Sequence, residues 1–435
     1  MKKNIILYTL AAFALALGFT ACEDEPDRYE MTGGTPTIHY VKPAGATADT
    51  LLTSAYMGNS VCIVGDNLRS IYRIYFNDVE ATLNTSYMTD HTVLVDIPNV
   101  IPGEVSNKIY FYNKKGEKVD FDFSILIPGP SISAMSCEYA APGTVATLTG
   151  DYFVDDPNVP LTVTFENGGE AVIRDITKNV ITFVIPDAAA EGAITVGTVY
   201  GETTSAFHYM DSRGMLFDFD TNPLLTNHGW HAAKIETDET SLSGNFMRLG
   251  DPAVTMSEDG GWNDDNFAFQ YWPGDWTTPV SYDNSPLLTD IADFSNWQNM
   301  GLKFEINIPS ANPWGAGMMQ IIMAGVDKIS GSSAGTDIYG NTVAGANNDF
   351  MKDSSVPHGL YQPWTPSQMF DTGGEWITVT VPFSNFMYNF DGSQSDGTLS
   401  EKSFTSLTIF VVGGVTGQEC QPVLKIDNIR AVPVK

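Results

Sequence analysis

Short runs in which apolar and polar residues alternate recur along this chain, and they predict β-strands. Leu302, Phe304, Ile306 and Ile308 alternate with Lys303, Glu305 and Asn307, and Ile377, Val379 and Val381 alternate with Thr378 and Thr380. A two-residue period places each apolar set on one face of a strand. In NFAFQYW the same period puts Phe267, Phe269 and Tyr271 on one face and Gln270 and Trp272 on the other. No long segment shows a 3.6-residue amphipathic period. With 39 Gly and 24 Pro among 435 residues punctuating these runs, the expected fold class is all-β with many turns.

Two stretches repeat each other. VCIVGDNL at 61–68 matches ATLTGDYF at 146–153, IYFNDVEA at 74–81 matches VTFENGGEA at 163–171, and VLVDIPNV at 93–100 matches ITFVIPDA at 181–188, at offsets of 85 to 89 residues. Repeats of that length built from short strands predict two small β-sandwiches, 36–127 and 129–211. Pro128 and Pro130 stiffen the joint between them. The elements Gly65-Asp66-Asn67-Leu68 and Gly150-Asp151-Tyr152-Phe153 resemble the IPT/TIG type of immunoglobulin-like domain. The resemblance implies that the glycine turns the chain and that the bulky fourth residue plugs the core. No convergent polar set appears in either repeat, so both are expected to be spacers.

All eight tryptophans lie beyond Asp211, so residues 212–435 form a different kind of domain, expected to be a larger jelly-roll-like β-sandwich. Trp297 and Trp376 sit in or beside strand patterns and are expected to be core. Trp272 and Trp276 flank the turn PGDW, and Trp314 lies in the turn-rich SANPWGAG. The stretch from Val326 to Gly374 lacks a clear strand and is long for a connection, a length usually tied to function or disorder. Within it, Tyr361 and Trp364 are stiffened by Pro363 and Pro366. Tyr361 and Trp364 are therefore the central candidates for a binding platform, with Trp314, Trp272 and Trp276 beside them. Flat, uncharged aromatics suit sugars, whose apolar C–H face stacks on an indole. A stack removing roughly 60 Å² of apolar surface contributes about 1.5 kcal/mol, so a few stacks predict modest affinity that avidity would raise.

Charge and the chain start narrow the setting. The formal charge of −30 repels polyphosphate, which excludes nucleic acid as a partner. Lys2 and Lys3 precede an apolar run from Ile5 to Leu17 that ends in small residues before Cys22. Residues 1–21 are read as a secretory signal and 22–35 as a tether. Gly18-Phe19-Thr20-Ala21-Cys22 resembles a lipobox that would place a lipid on Cys22, and the acidic Glu23-Asp24-Glu25 that follows resembles a signal for export to the outer face of the outer membrane. The membrane would then be reached through a lipid anchor only.

Hydrolysis and metals find little support in the spacings. Glu236-Thr237-Asp238-Glu239-Thr240-Ser241 is the nearest approach to a paired-carboxylate strand and ends in Ser where an acid belongs. His228 with His231 lacks a third ligand. Asp218, Asp220, Asp427 and Asn428 are acids and an amide on the expected first and last strands, where a structural calcium has suitable oxygen donors but where acidic residues are also ordinary. No cofactor and no metal are assigned. Cys62, Cys137 and Cys420 are expected to be buried thiols.

Together the lipobox, the tandem IPT/TIG units, and the C-terminal elements Tyr361-Gln362-Pro363-Trp364, Gly374-Glu375-Trp376 and Asp427-Asn428-Ile429-Arg430 resemble surface glycan-binding proteins of the B type, from polysaccharide-utilisation loci of gut Bacteroidota. The resemblance implies a non-catalytic lipoprotein that captures a polysaccharide or oligosaccharide, such as a plant β-glucan, xyloglucan or mannan. It also implies partners in an outer-membrane TonB-dependent transporter complex and surface glycanases. Two alternatives remain, an adhesin that contacts host protein through its Ig-like units and a jelly-roll glycanase.

Overall fold

The computed structural model describes residues 30–45, 50–221, 234–273, 286–329, 341 and 347–434. The signal peptide, Cys22 and the tether up to residue 29 lie outside the described residues, as do Trp276, His228 and His231. The chain divides into two compact units, Met1–Pro128 and Gly129–Lys435.

The first unit is an Ig-like sandwich. Strands Thr37–Pro43, Ser60–Asp66 and Thr92–Asp96 form one sheet; Val79–Glu80, Ile71–Phe76, Lys108–Asn113 and Lys118–Asp122 form the other. The second repeat has the same plan, with Ser131–Met135, Val145–Asp151, Val180–Val184 and Val172–Ile176 in one sheet and Gly169–Glu170, Thr162–Phe165, Gly192–Thr198 and Gly201–Tyr209 in the other. The repeated Gly-Asp element has a shared cause. A Cβ at Gly65 would overlap the carbonyl oxygen of Thr37, and one at Gly150 that of Ser131, so the neighbouring strand leaves no room for a side chain. The turn itself falls two residues later, where Asn67 and Tyr152 adopt left-handed backbone at φ 57 and 58. Glycine therefore serves close approach rather than the turn. Leu68 and Phe153 are buried as the core plugs expected of them.

In the C-terminal domain the strands are β1 (Met215–Phe217), β2 (Lys234–Glu236), β3 (Phe246–Gly250), β4 (Ala268–Tyr271), β5 (Met300–Asn307), β6 (Met318–Ala324), β7 (His358–Tyr361), β8 (Trp376–Pro382), β9 (Ser406–Val412) and β10 (Val423–Pro433). One sheet runs β2-β3-β10-β5-β8, with β1 on β10, and the other β4-β9-β6-β7. Strand β7 lies inside the stretch expected to lack one. Alternation builds the core between the sheets: Leu302, Phe304 and Ile306 come from β5, Phe269 and Tyr271 from β4, Ile321 from β6 and Ile409 from β9.

The second sandwich belongs to the same compact unit as the C-terminal domain. The polar side chains of β5 alternate away from the core as expected, yet Lys303 and Glu305 are buried. Glu138 of the second sandwich covers them, bonding Lys303 at 2.5 Å and Arg430 at 2.7 Å, while Arg430 bonds Glu305 at 2.8 Å. The Thr378 hydroxyl donates to Glu305 at 2.9 Å and accepts from the Glu138 backbone N–H at 2.7 Å, and the Thr378 N–H donates to the Ser136 carbonyl. The Tyr139 ring lies under the Arg430 guanidinium at 4.9 Å. Four ionised side chains thus sit sealed at one junction, each matched to an opposite charge.

Candidate functional site

Most of the proposed aromatic platform lies inside the molecule, which corrects the sequence expectation. Trp314 and Trp364 are 0% and 2% exposed. Their turn-rich segments fold back as plugs on one end of the sandwich, where both indole N–H groups meet the Gly317 carbonyl at 2.9 and 3.0 Å. Trp272 is also buried, with its ring edge-on to Phe350. Tyr361 is half-buried in register with Met319 and rests near Phe304 and Trp314. Burial pushes its hydroxyl up to about 12. Prolines 363 and 366 stiffen a core lid rather than an open surface. Trp297 and Trp376 are half-buried against Phe404 and Phe246, in keeping with a structural role.

The open indole among the described residues is Trp262, which is 43% exposed. It stands in Gly260-Gly261-Trp262-Asn263, a loop drawn onto the ends of β6 and β9 because Gly260 fits against Gly317 and Gly413 where a Cβ would clash with both backbones. Gly413 N–H donates to the Gly260 carbonyl at 2.7 Å. The Trp262 ring meets Phe410 edge-on at 4.8 Å and lies beside Phe390 at 5.8 Å with a 34° tilt. Lys352 places its ammonium 5.1 Å from the Trp262 ring and 5.6 Å from Phe390. The Phe390 turn is tied down by Asn389, which donates to Gln394 O, and by Asp391, which accepts from Ser393.

Behind this rim the outer face of β4-β9-β6-β7 carries an unusual polar row. Strand register aligns Gln270, Thr408, Ile322 and His358 across the sheet, with Phe410 and Gln320 in the adjacent row. Gln320 donates from Nε2 to Phe390 O at 2.9 Å and to Val412 O at 3.1 Å, so its Oε1 accepts from His358 Nδ1 at 2.6 Å. His358 Nε2 is then a bare acceptor, and burial lowers its pKa to about 4, which keeps the ring neutral. His358 Nε2, Thr408 Oγ1 and Trp272 Nε1 are buried without a hydrogen-bond partner among the described residues. Such orphans are costly.

The carboxylates weighed for catalysis are engaged elsewhere. Glu236 takes two hydrogen bonds from Arg248 at 2.7 and 2.8 Å, which lower its pKa. Asp238 accepts from Lys425 at 2.6 Å. Of the acids weighed for calcium, Asp427 is fully buried. Burial foremost, with the charges of Glu305, Asp220 and Asp218, pushes its pKa up to about 8. A folded-state value above the unfolded one means that stability is greatest below about pH 4 and is lost as pH rises through about 8. Asp427→Asn is therefore expected to gain more stability relative to the parent at pH 8 than at pH 5, in urea titrations at both values. Equal differences at the two pH values would refute the raised pKa. Cys62, Cys137 and Cys420 are buried free thiols.

β-Sandwiches in series, the last with an open indole beside buried polar atoms, define a class of multidomain binding proteins. A family profile described as the surface glycan-binding protein B xyloglucan binding domain matches residues 209–433. The crystal structure of the surface glycan-binding protein PbSGBP-B from Prevotella bryantii is similar over 93% of this chain and 100% of its own, at 44% identity and TM-score 0.77. The chain therefore belongs to the surface glycan-binding protein B family. An IPT/TIG domain-containing protein of Bacteroides ovatus is 26% identical over 146 residues, 32% of this chain, and the chain spans only 29% of that relative's length. The family is one of glycan-binding proteins rather than glycosidases.

The alternation that located the strands could not locate Trp262, because an exposed ring needs no period. Its one sequence signal is an isolated Trp in a polar run, Gly-Gly-Trp-Asn-Asp-Asp.

Proposed function

We propose that this chain captures a plant β-glucan of the xyloglucan type at the cell surface, on a platform made by Trp262 and the Phe390 ring beside it. The observation that carries this reading is the 43% exposure of the Trp262 indole on the domain matched by the family profile. A pyranose stacking there replaces the Lys352 contact and leaves the ammonium to bond a ring hydroxyl. Trp276 remains a proposed contributor. The lipid on Cys22, the outer face of the outer membrane, and delivery to surface glycanases and a TonB-dependent transporter complex belong to the same proposal.

Trp262→Ala is expected to weaken retention in affinity electrophoresis on xyloglucan about tenfold, corresponding to one lost stack. Its melting temperature should stay close to the parent's, since the ring is half open. Unchanged retention would remove Trp262 from the site.

A further inference from the structure

The first Ig-like unit contains a cleft of about 290 Å³ lined by Tyr72, Arg73, Tyr75, Tyr112, Asn113 and Lys114, with Gly116 at its edge. That size is at the small end of ligand pockets. Its lining holds two cations, Arg73 and Lys114, and the one carboxylate beside it, Glu80, meets Arg73 at Nε. We propose that this cleft is a second carbohydrate site, selective for a uronic acid residue, whose ring lies on the tyrosines and whose carboxylate is held by Arg73 and Lys114.

The local structure builds this arrangement. A bulge between Ile71 and Arg73 breaks the register with Lys108–Asn113. Two successive side chains, Tyr72 and Arg73, consequently face solvent, where strict alternation would bury one. Tyr72 is 49% exposed, and the Arg73 guanidinium lies 5.3 Å from its ring. Tyr75 and Tyr112 meet edge-to-face at 5.6 Å on neighbouring strands. Glu80 orients the floor, accepting from the Tyr75 hydroxyl at 3.0 Å and pairing with Arg73 at 3.3 Å.

The turn that carries Lys114 is equally fixed. Asn113 Oδ1 accepts from the N–H groups of Lys115 and Glu117, and its Nδ2 donates to Gly34 O and Glu117. Glu117 and Glu80 are thus committed to Asn113 and to Arg73 with Tyr75, while Lys114 is exposed and has no ionic partner among the described residues. A planar guanidinium next to a mobile ammonium is a suitable clamp for a carboxylate, and the tyrosine faces supply the apolar surface that a simple anion would not use.

The test titrates the full chain by calorimetry with tetragalacturonate and with a glucuronoxylo-oligosaccharide, using cellotetraose and polyglutamate as controls. At least one acidic sugar is expected to bind the parent and the Trp262→Ala variant equally. Lys114→Gln and Tyr72→Ala, both at exposed positions, should each weaken it about tenfold or more. The proposal is overturned if neither acidic sugar binds, if polyglutamate competes as well as the sugar, or if binding follows Trp262 instead of Lys114. Because the readout is made in the Trp262→Ala background as well, failure here is distinct from failure of the xyloglucan site.

Discussion

Arg430→Ala is expected to destabilise the Gly129–Lys435 unit by about 3 to 5 kcal/mol. For a domain of this size that lowers the melting temperature by roughly 10 °C. The cause is the carboxylates that remain. Glu138 and Glu305 both bond Arg430 in a site sealed from water, and the substitution leaves like charges buried with only Lys303 and Thr378 to receive them. Burial already raises the Glu305 pKa even with Arg430 in place. The deficit of the variant should therefore shrink as pH falls and the carboxyls protonate. Placing Arg430→Met in a Glu138→Gln, Glu305→Gln, Lys303→Met background should cost much less than Arg430→Ala alone, because Lys303, which Glu138 pairs, is then neutral too and no unpaired charge remains. A loss under 1 kcal/mol for the single variant, in urea unfolding at pH 7, would show that the junction is not held by this cluster.

Trp364→Ala is expected to cost a similar amount, about 3 to 5 kcal/mol. The ring is buried against the sandwich end and its N–H is one of two indole donors to the Gly317 carbonyl, so removal leaves a large cavity and loses one buried hydrogen bond. Xyloglucan bound per folded molecule should be unchanged. This outcome is the reverse of that expected for Trp262→Ala, where affinity falls and stability holds. Measuring melting temperature and affinity electrophoresis on both variants therefore separates plug from platform, and an exchange of the two patterns would refute the assignment.

The contrast also marks what the sequence made legible. Period-two alternation located β5 and β8 because one face of each meets a single apolar core. The repeated Gly-Asp element identified both small sandwiches because strand approach, a local constraint, dictates it. Alternation could not tell that the polar face of β5 is also buried, since Lys303 and Glu305 are covered by Glu138, a residue 165 positions from Lys303 in the chain. Nor could turn-rich context distinguish Trp314 and Trp364 from Trp262. Pro and Gly show that a segment bends, and whether the bend carries its ring inward depends on which carbonyl waits for the indole N–H. The cleft on the first unit was likewise hidden, because the bulge after Ile71 interrupts the pattern that would reveal it.

The Glu138 cluster also bears on how a recognition module can be cut from this molecule. Severing the chain near residue 212 would strip the cover from Lys303, Glu305 and Arg430 and give the excised piece a wet, charged scar where its parent has a dry seam. A fragment meant for glycan arrays, or for grafting onto another scaffold, is better begun at Gly129, so that the smallest portable piece of this receptor is a pair of sandwiches.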